Sequence, residues 1–173
     1  MKRIVFLLVT FFVGQGAFSQ EILVWDSAVK LTWGDFQGKV DSSSPYSAST
    51  VSGIVYKFRF SGDGYSDSIK AVFYRKESWV RVPKDGALFH EQGHFDITEI
   101  FARKLRKRLQ SFVPKRGSLG QQLKKLYDEV EAERVAMENL YDTETKHSAD
   151  GERQAEWNER IRKELKELEA FAD

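Results

Sequence analysis

The chain has 173 residues, of which 41% are hydrophobic and 31% are charged, and its formal net charge is +1. This near-neutral balance creates no overall field that would select nucleic acid or an anionic membrane, so we expect neither as a partner. Cysteine is absent, which excludes disulfides and lipidation at a cysteine. The length suits a single domain with one core.

The N-terminus has the pattern of a signal peptide. Met1 to Arg3 form a basic start, and an apolar run follows from Ile4 to Val13. Ala17 and Ser19 are small residues at the −3 and −1 positions, so we predict cleavage after Ser19 and a secreted or periplasmic protein. The alternative is an uncleaved anchor, although the run is short for a bilayer span and no stable span would remain after cleavage.

Period-two alternation between residues 22 and 82 predicts a meandering antiparallel sheet. A Ser-Gly-Asp-Gly sequence at 61–64 predicts a turn, and the extended pattern ends before Pro83. The aromatic, glycine-containing segment 31–38 shows no clear period. The predicted strands cover residues 22–25, 54–60, 69–74 and 79–82.

Residues 90–94 have the pattern His-Glu-x-x-His. Residues four apart lie on the same face of an α-helix, so His90 and His94 can point their imidazoles at one metal ion. Zinc in catalytic sites keeps a position for a water molecule and lowers its pKa. Glu91 lies beside the pair and is the candidate general base. The alternative is a pair of hydrogen-bonded core histidines.

Three helices are predicted after the sheet. Asp85 is a candidate N-cap, and the first helix continues the face of the histidine pair until Pro114. We interpret a basic cluster in its later turns as a solvated face rather than an anion site. The next two helices, about 118–141 and 151–170, carry apolar stripes that indicate core rather than a cofactor site. The basic cluster consists of Arg103, Lys104, Arg106, Lys107 and Arg108.

A third protein ligand has to come from elsewhere, because position 100, where a fused zinc motif would place it, is Ile. His147, the one remaining histidine of the three, is the preferred ligand. Tyr141, shortly before it, is a candidate hydrogen-bond donor to a developing oxyanion. Zinc also accepts carboxylates, so alternatives stay open. They are Asp142, Glu144, Glu131, Glu133 and Glu138.

Several separated motifs carry a resemblance to a known family. In chain order they are residues 31–38, 78–80, 90–96, 141–147, and Gln154 with Trp157. Together they resemble a family of bacterial proteins of unknown function that are described as predicted secreted zinc-dependent proteases. The resemblance implies a zincin-like peptidase with His90, Glu91, His94 and His147 in matching positions. The family usually has Gly after the third histidine, whereas this chain has Ser148.

The expected fold is α+β, with an N-terminal antiparallel sheet packed on a zincin-like active-site helix and two further helices. It forms one metallopeptidase domain of residues 20–173, after a signal peptide of residues 1–19. The expected function is hydrolysis of amide bonds in a peptide or protein substrate, with Zn²⁺ as cofactor and Glu91 as general base. We also expect Ser78-Trp79-Val80 to form the edge strand of the cleft, unless Trp79 is a core residue.

Two alternatives come from other functional classes. One is a secreted metal-binding module without turnover, which would keep the metal ligands but not the chemistry. The other is a secreted adhesion or assembly protein that retains the same fold.

Overall fold

The computed structural model of the chain describes residues 21–61, 64–115 and 117–173. The predicted signal peptide and its cleavage site lie outside the described residues, as do Gly62 and Asp63 of the predicted turn. Within the described ranges, no helix combines the length and the apolar character needed to cross a membrane.

The described residues contain two antiparallel sheets. β3 (Ser52–Ser61) and β4 (Gly64–Tyr74) form a long hairpin, and β1 (Ile22–Val24) pairs with the other edge of β4. The order of this sheet is therefore β1–β4–β3. A smaller sheet pairs β2 (Ala48–Ser49) with β5 (Trp79–Val80). The predicted strands are thus present, and β2 is an addition that the sequence pattern did not reveal.

Three helices follow the strands, so the α+β class is confirmed. α1 is Asp85–Gln110, α2 is Leu119–Thr145 and α3 is Gly151–Glu167. Short 3-10 turns occur at Trp33–Asp35 and at Glu169–Phe171. The first of these lies in the segment without a clear period, where the Asp35 carboxylate accepts hydrogen bonds from the backbone N–H and the hydroxyl of Thr32.

The core is built around α1, which contacts the β3–β4 hairpin as well as α2 and α3. An apolar stripe on α1 meets apolar side chains from these other elements, and each fully buried large aliphatic side chain contributes about 1.5–3 kcal/mol. The stripe consists of Phe95, Ile97, Ile100, Phe101 and Leu105. Its partners include Ile54, Ile69, Phe73, Leu123, Val130 and Trp157.

The helix ends differ from the prediction in ways that matter for the site. The N-cap of α1 is Lys84 rather than Asp85. α2 continues to Thr145 instead of stopping at Tyr141, so Asp142 lies on the last turn of a helix and not in a loop. Ser118 caps the start of α2, because its hydroxyl accepts a hydrogen bond from Gln121 N–H.

The predicted solvated basic face of α1 was wrong for Arg103 and Arg106. Arg103 is only 5% exposed, and its Nε donates to Glu99 Oε1 at 2.9 Å. Arg106 donates to the same oxygen at 3.1 Å and to the carbonyl of Ile69 in β4 at 2.7 Å. Buried charges require partners of this kind. Arg106 therefore joins α1 to β4, whereas Lys107 is exposed as expected.

The segment between β1 and the first 3-10 turn is fastened to α1 by two side chains of that helix. Leu31 N–H donates to Gln92 Oε1 at 2.8 Å, and Gln92 Nε2 donates to Asp96 Oδ1 at 2.7 Å. Trp25 Nε1 donates to the same Asp96 oxygen, also at 2.7 Å. Asp96 is thus the common acceptor that holds the N-terminal segment against the helix.

We expect Asp96→Ala to lower the free energy of unfolding by about 2 kcal/mol, because two partly buried donors lose their acceptor. Asp96→Asn is the matched control, since its amide oxygen can accept both hydrogen bonds and it should lose less than half as much. Urea denaturation measures both. Equal stability of the alanine variant and the unchanged protein would contradict this role.

Candidate metal centre

A cleft of about 770 Å³ opens between α1, the end of α2 and the segment that leads into β2. α1 contributes His90, Glu91 and His94 to its wall, and the end of α2 contributes Asp142. His147 comes from the turn that follows α2. The structure thus brings all three histidines of the chain to one place.

His90 and His94 face the cleft because they are four residues apart on α1. Their ring centroids are 4.9 Å apart and the rings are almost perpendicular, at 88°. His90 Nε2 lies 3.0 Å from Asp142 Oδ1, and His94 Nε2 lies 3.2 Å from the same oxygen. The two imidazoles therefore present the same ring nitrogen to a common point.

His147 reaches this point through an unusual backbone turn. Lys146, His147 and Ser148 have φ angles of 49°, 51° and 72°, which place three consecutive non-glycine residues in the left-handed region. Each such residue costs about 1–2 kcal/mol, and strain of this kind concentrates at functional sites. The turn brings His147 Nδ1 to 3.3 Å from Asp142 Oδ1, with its ring against Tyr46 at 4.3 Å between centroids.

Ser148 occupies the position at which the resembling family usually has Gly. Its φ of 72° shows why glycine suits the position, since glycine adopts positive φ without steric penalty. The serine keeps the turn that presents His147, at the cost of local strain.

The distances around Asp142 Oδ1 match the spacing of metal ligands. Donor atoms of a tetrahedral zinc site, each about 2.0–2.1 Å from the ion, are about 3.3 Å from one another. The three imidazole nitrogens are 3.0, 3.2 and 3.3 Å from the carboxylate oxygen. His90, Asp142 and His147 offer donor atoms that all lie within 4.8 Å of one another. His94 is not in that group and meets it through Asp142 Oδ1. The donor set suits a divalent transition metal.

The outer nitrogen of His90 is fixed by hydrogen bonds. Gln154 Nε2 donates to the Tyr141 hydroxyl at 2.7 Å and to Asn158 Oδ1 at 2.8 Å. The amide oxygen of Gln154 therefore faces His90 Nδ1 at 3.0 Å, and that nitrogen must be the donor. With the Nδ1 proton held in this way, the lone pair of Nε2 would be free to face the convergence point when a metal binds.

Tyr141 lies beneath α1 rather than in the cleft. Its side chain is fully buried, its hydroxyl donates to the backbone carbonyl of His90 at 3.0 Å, and its ring stacks on the His90 ring at 4.5 Å. Burial raises the pKa of the Tyr141 hydroxyl above its usual value. This placement supports a role in positioning His90.

Gly93 explains how the tyrosine comes so close to the helix. A Cβ atom added at Gly93 would lie 2.3 Å from the Tyr141 hydroxyl oxygen and 2.7 Å from the ring carbon that carries it. Glycine in a helix interior costs about 1 kcal/mol relative to alanine. The absence of a side chain here is therefore a packing requirement of the site.

Glu91 is buried on the cleft wall with an unsatisfied oxygen. Its side chain is 6% exposed, and among the described residues Glu91 Oε2 has no hydrogen-bond partner. An unpaired buried carboxylate oxygen is costly unless a ligand or ion satisfies it. Its backbone carbonyl accepts a hydrogen bond from Thr50 Oγ1 at 3.3 Å, which joins α1 to the strand segment across the cleft.

The other carboxylates that the sequence left open as ligands have different partners. Glu144 accepts a hydrogen bond from Trp157 Nε1 at 2.7 Å, and Glu133 pairs with Arg108. Glu131 pairs with Arg134. Glu138 lines the cleft but also pairs with Arg134, at 2.6 Å. Of these candidates, Asp142 alone contacts the three histidines among the described residues.

The charges of the cleft are strongly coupled. Burial raises the pKa of Asp142, but hydrogen bonds with His90 and His94 outweigh it, so the net pKa lies well below its usual range. Burial lowers the pKa of His94, whereas the Asp142 carboxylate raises it, and the net pKa is raised. Burial also raises the pKa of Glu138 despite its partner Arg134. The cleft thus favours a positive charge among the imidazoles.

The predicted edge strand Ser78-Trp79-Val80 does not line the cleft. Ser78 is fully buried, and its hydroxyl accepts a hydrogen bond from Val51 N–H at 2.9 Å. Trp79 is buried as well, which agrees with the alternative of a core residue. The strand on the cleft wall is β2, which pairs with β5.

Gly93→Ala should lower the free energy of unfolding by about 1–3 kcal/mol, because the Cβ atom collides with Tyr141 and overpacking outweighs the gain in helix propensity. Gly120→Ala is the control, since its Cβ would meet no atom closer than 3.9 Å. That control should be neutral or stabilising. Thermal unfolding compares the two, and equal behaviour would contradict the close approach of Tyr141.

Comparison with known proteins identifies similarity over the part of the chain that forms the site. No curated protein and no solved structure matches the chain. Residues 74–148, which run from the end of β4 to the turn after His147, match the family described as "Bacterial protein of unknown function (DUF922)". The stretch that contains the three histidines and Asp142 is thus similar to a bacterial family without an assigned activity.

Proposed function

We propose that the protein is a zinc-dependent peptidase, secreted or periplasmic, that hydrolyses amide bonds of a peptide or protein substrate. His90, His94 and His147 hold the zinc ion, and Glu91 is the general base. The observation that carries this proposal is one cleft in which three imidazole nitrogens lie 3.0–3.3 Å from one carboxylate oxygen, beside a buried Glu91 oxygen that has no partner among the described residues. The apolar N-terminal run supports export.

The residues present fit the metal. Three imidazoles are a ligand set found in catalytic zinc sites. In the zincin-like motif His-Glu-x-x-His, the two histidines that bind zinc correspond to His90 and His94. Bound zinc supplies Lewis acidity and a water molecule of lowered pKa. Glu91 takes a proton from water and passes it to the departing amine. Gln154 and Tyr141 keep the His90 ring in the orientation that binding needs.

β2 is a suitable platform for an extended peptide. Arg81 N–H donates to the Ser47 carbonyl at 2.7 Å, so residues 47 and 81 form a hydrogen-bonded pair and Ala48 opposes Val80 in a non-bonded pair. In an antiparallel ladder, the backbone N–H and C=O of Ala48 therefore point away from β5. Ala48 lines the cleft, where a substrate strand can pair with it.

A metal-binding protein without turnover is the second candidate. The Asp142 carboxylate favours it, because this carboxylate lies at ligand distance from all three imidazoles and closed four-ligand zinc sites are structural. The two candidates differ in whether Glu91 is needed for a reaction.

Glu91→Gln should keep stoichiometric zinc but lose activity about 10²–10⁴-fold, because a general base contributes that much to the rate. Cleavage of a fluorogenic peptide library and metal analysis of the same preparation provide the two readouts. Glu144→Gln is the matched control, because this glutamate hydrogen-bonds Trp157 away from the cleft. Undiminished cleavage by Glu91→Gln would refute the general-base role, and zinc without cleavage in the unchanged protein would favour the second candidate.

Gln154→Leu should weaken zinc binding about 10–100-fold, because partners of a ligating imidazole contribute that much to affinity. The substitution removes the acceptor that holds His90 Nδ1–H and leaves the tyrosine hydroxyl without its amide donor. Chelator competition measures the affinity. Gln122→Leu is the control, since Gln122 hydrogen-bonds Lys115 and is remote from the site. Equal zinc affinity in both variants would contradict the orienting role of Gln154.

A further inference from the structure

We propose that Asp142 is a fourth protein ligand, whose carboxylate closes the metal site in the resting protein and must leave before water or a substrate carbonyl can bind. This inference rests on the proposed metal centre and concerns its regulation. In this resting state the protein inhibits itself, because the Asp142 side chain occupies the coordination position that water or substrate would need.

A single carboxylate oxygen meets all three nitrogens of the proposed zinc site. Asp142 Oδ1 is 3.0 Å from His90 Nε2, 3.2 Å from His94 Nε2 and 3.3 Å from His147 Nδ1. These are the separations of atoms that share a tetrahedral ion, about 3.3 Å. A carboxylate that merely oriented one histidine would not be equidistant from three.

Asp142 contacts the inner ring nitrogen of His90 rather than the outer one. Carboxylates that orient a ligating histidine accept a hydrogen bond from the ring nitrogen that is not bound to the metal. For His90 that outer nitrogen is Nδ1, and it already donates to Gln154 Oε1. Asp142 instead lies against Nε2, the nitrogen whose lone pair faces the cleft. At 3.0 Å this contact needs either a proton on Nε2 or a cation between the two atoms, and a bound metal ion would supply the cation.

The charges of the cleft also favour a bound cation. Asp142 and Glu91 line the same cleft as His90 and His94. A divalent cation would neutralise two carboxylates among neutral imidazoles. Glu91 Oε2, which lacks a hydrogen-bond partner within the described residues, would then face a positive charge. The arrangement is more easily maintained with an ion than without one.

Asp142 is also placed to leave. Its side chain is 30% exposed, whereas those of His90 and His94 are 5% and 14% exposed, so the carboxylate has better access to solvent than the histidine pair on α1. His147, at 41%, is also open to solvent. It lies on the last turn of α2, directly before the left-handed turn that carries His147. A rotation of this one side chain toward the cleft would open a coordination position without moving α1.

The experiment uses cobalt(II)-loaded protein, because the visible spectrum of cobalt reports the number of ligands. The purified protein and Asp142→Ala are each titrated with azide. We expect the spectrum of the unchanged protein to resist azide and that of Asp142→Ala to respond with at least about ten-fold tighter binding, because only the variant has an open position. Acetate should compete with azide in Asp142→Ala by restoring a carboxylate ligand.

Two further variants keep the test decisive. Asp142→Asn preserves side-chain size and should respond to azide like Asp142→Ala, which covers the case in which the alanine variant fails to fold. Glu144→Gln should resist azide like the unchanged protein. The inference is overturned if the unchanged protein binds azide as tightly as the Asp142 variants, since a position is then already open. If the unchanged protein binds no cobalt, the proposed metal centre itself fails.

Discussion

The site depends on one closed circuit of hydrogen bonds between three helices. His90 Nδ1 donates to Gln154 on α3, Gln154 donates to Tyr141 on α2, and the Tyr141 hydroxyl donates back to the His90 carbonyl on α1. Each buried polar group thereby finds a partner, which a low-dielectric interior requires. The circuit fixes the His90 ring and, through Gly93, sets how closely α2 approaches α1. The same hydrogen bonds therefore determine both how the helices pack and how the ring of His90, the candidate ligand, is oriented.

Different faces of α1 contact different parts of the protein. His90 and His94 face the cleft, while Phe95 and Ile97 are buried in the core. Gln92 and Asp96, which are also four residues apart, hold the N-terminal segment. Because a helix repeats every 3.6 residues, neighbouring positions serve different partners. A single short sequence therefore connects the cleft, the core and the N-terminal segment.

Local patterns in the sequence predict much of this arrangement. Alternation in β3 and β4, the apolar stripe of α1 and the spacing of His90 and His94 are short-range signals, and the structure has the corresponding strands, helix and paired rings. The extension of α2 through Asp142 is different, because Asp-Thr-Glu-Thr is a weak helix-forming sequence that tertiary contacts stabilise. Burial of Arg103 likewise depends on Glu99 and the carbonyl of Leu165, which is distant in sequence. The sequence indicated Gln154 only through the family resemblance, because its partner His90 is 64 residues away and no local pattern links them.

In the proposed metal centre, three histidines from α1 and from the turn after α2 bind one zinc ion. Zinc-edge X-ray absorption of the purified protein, loaded with one equivalent of zinc and freed of excess metal, tests this directly. We expect an ordered shell with three imidazole nitrogens at about 2.0–2.1 Å and an oxygen ligand. Loss of zinc during removal of the excess, or a shell with fewer than three imidazoles, would contradict it.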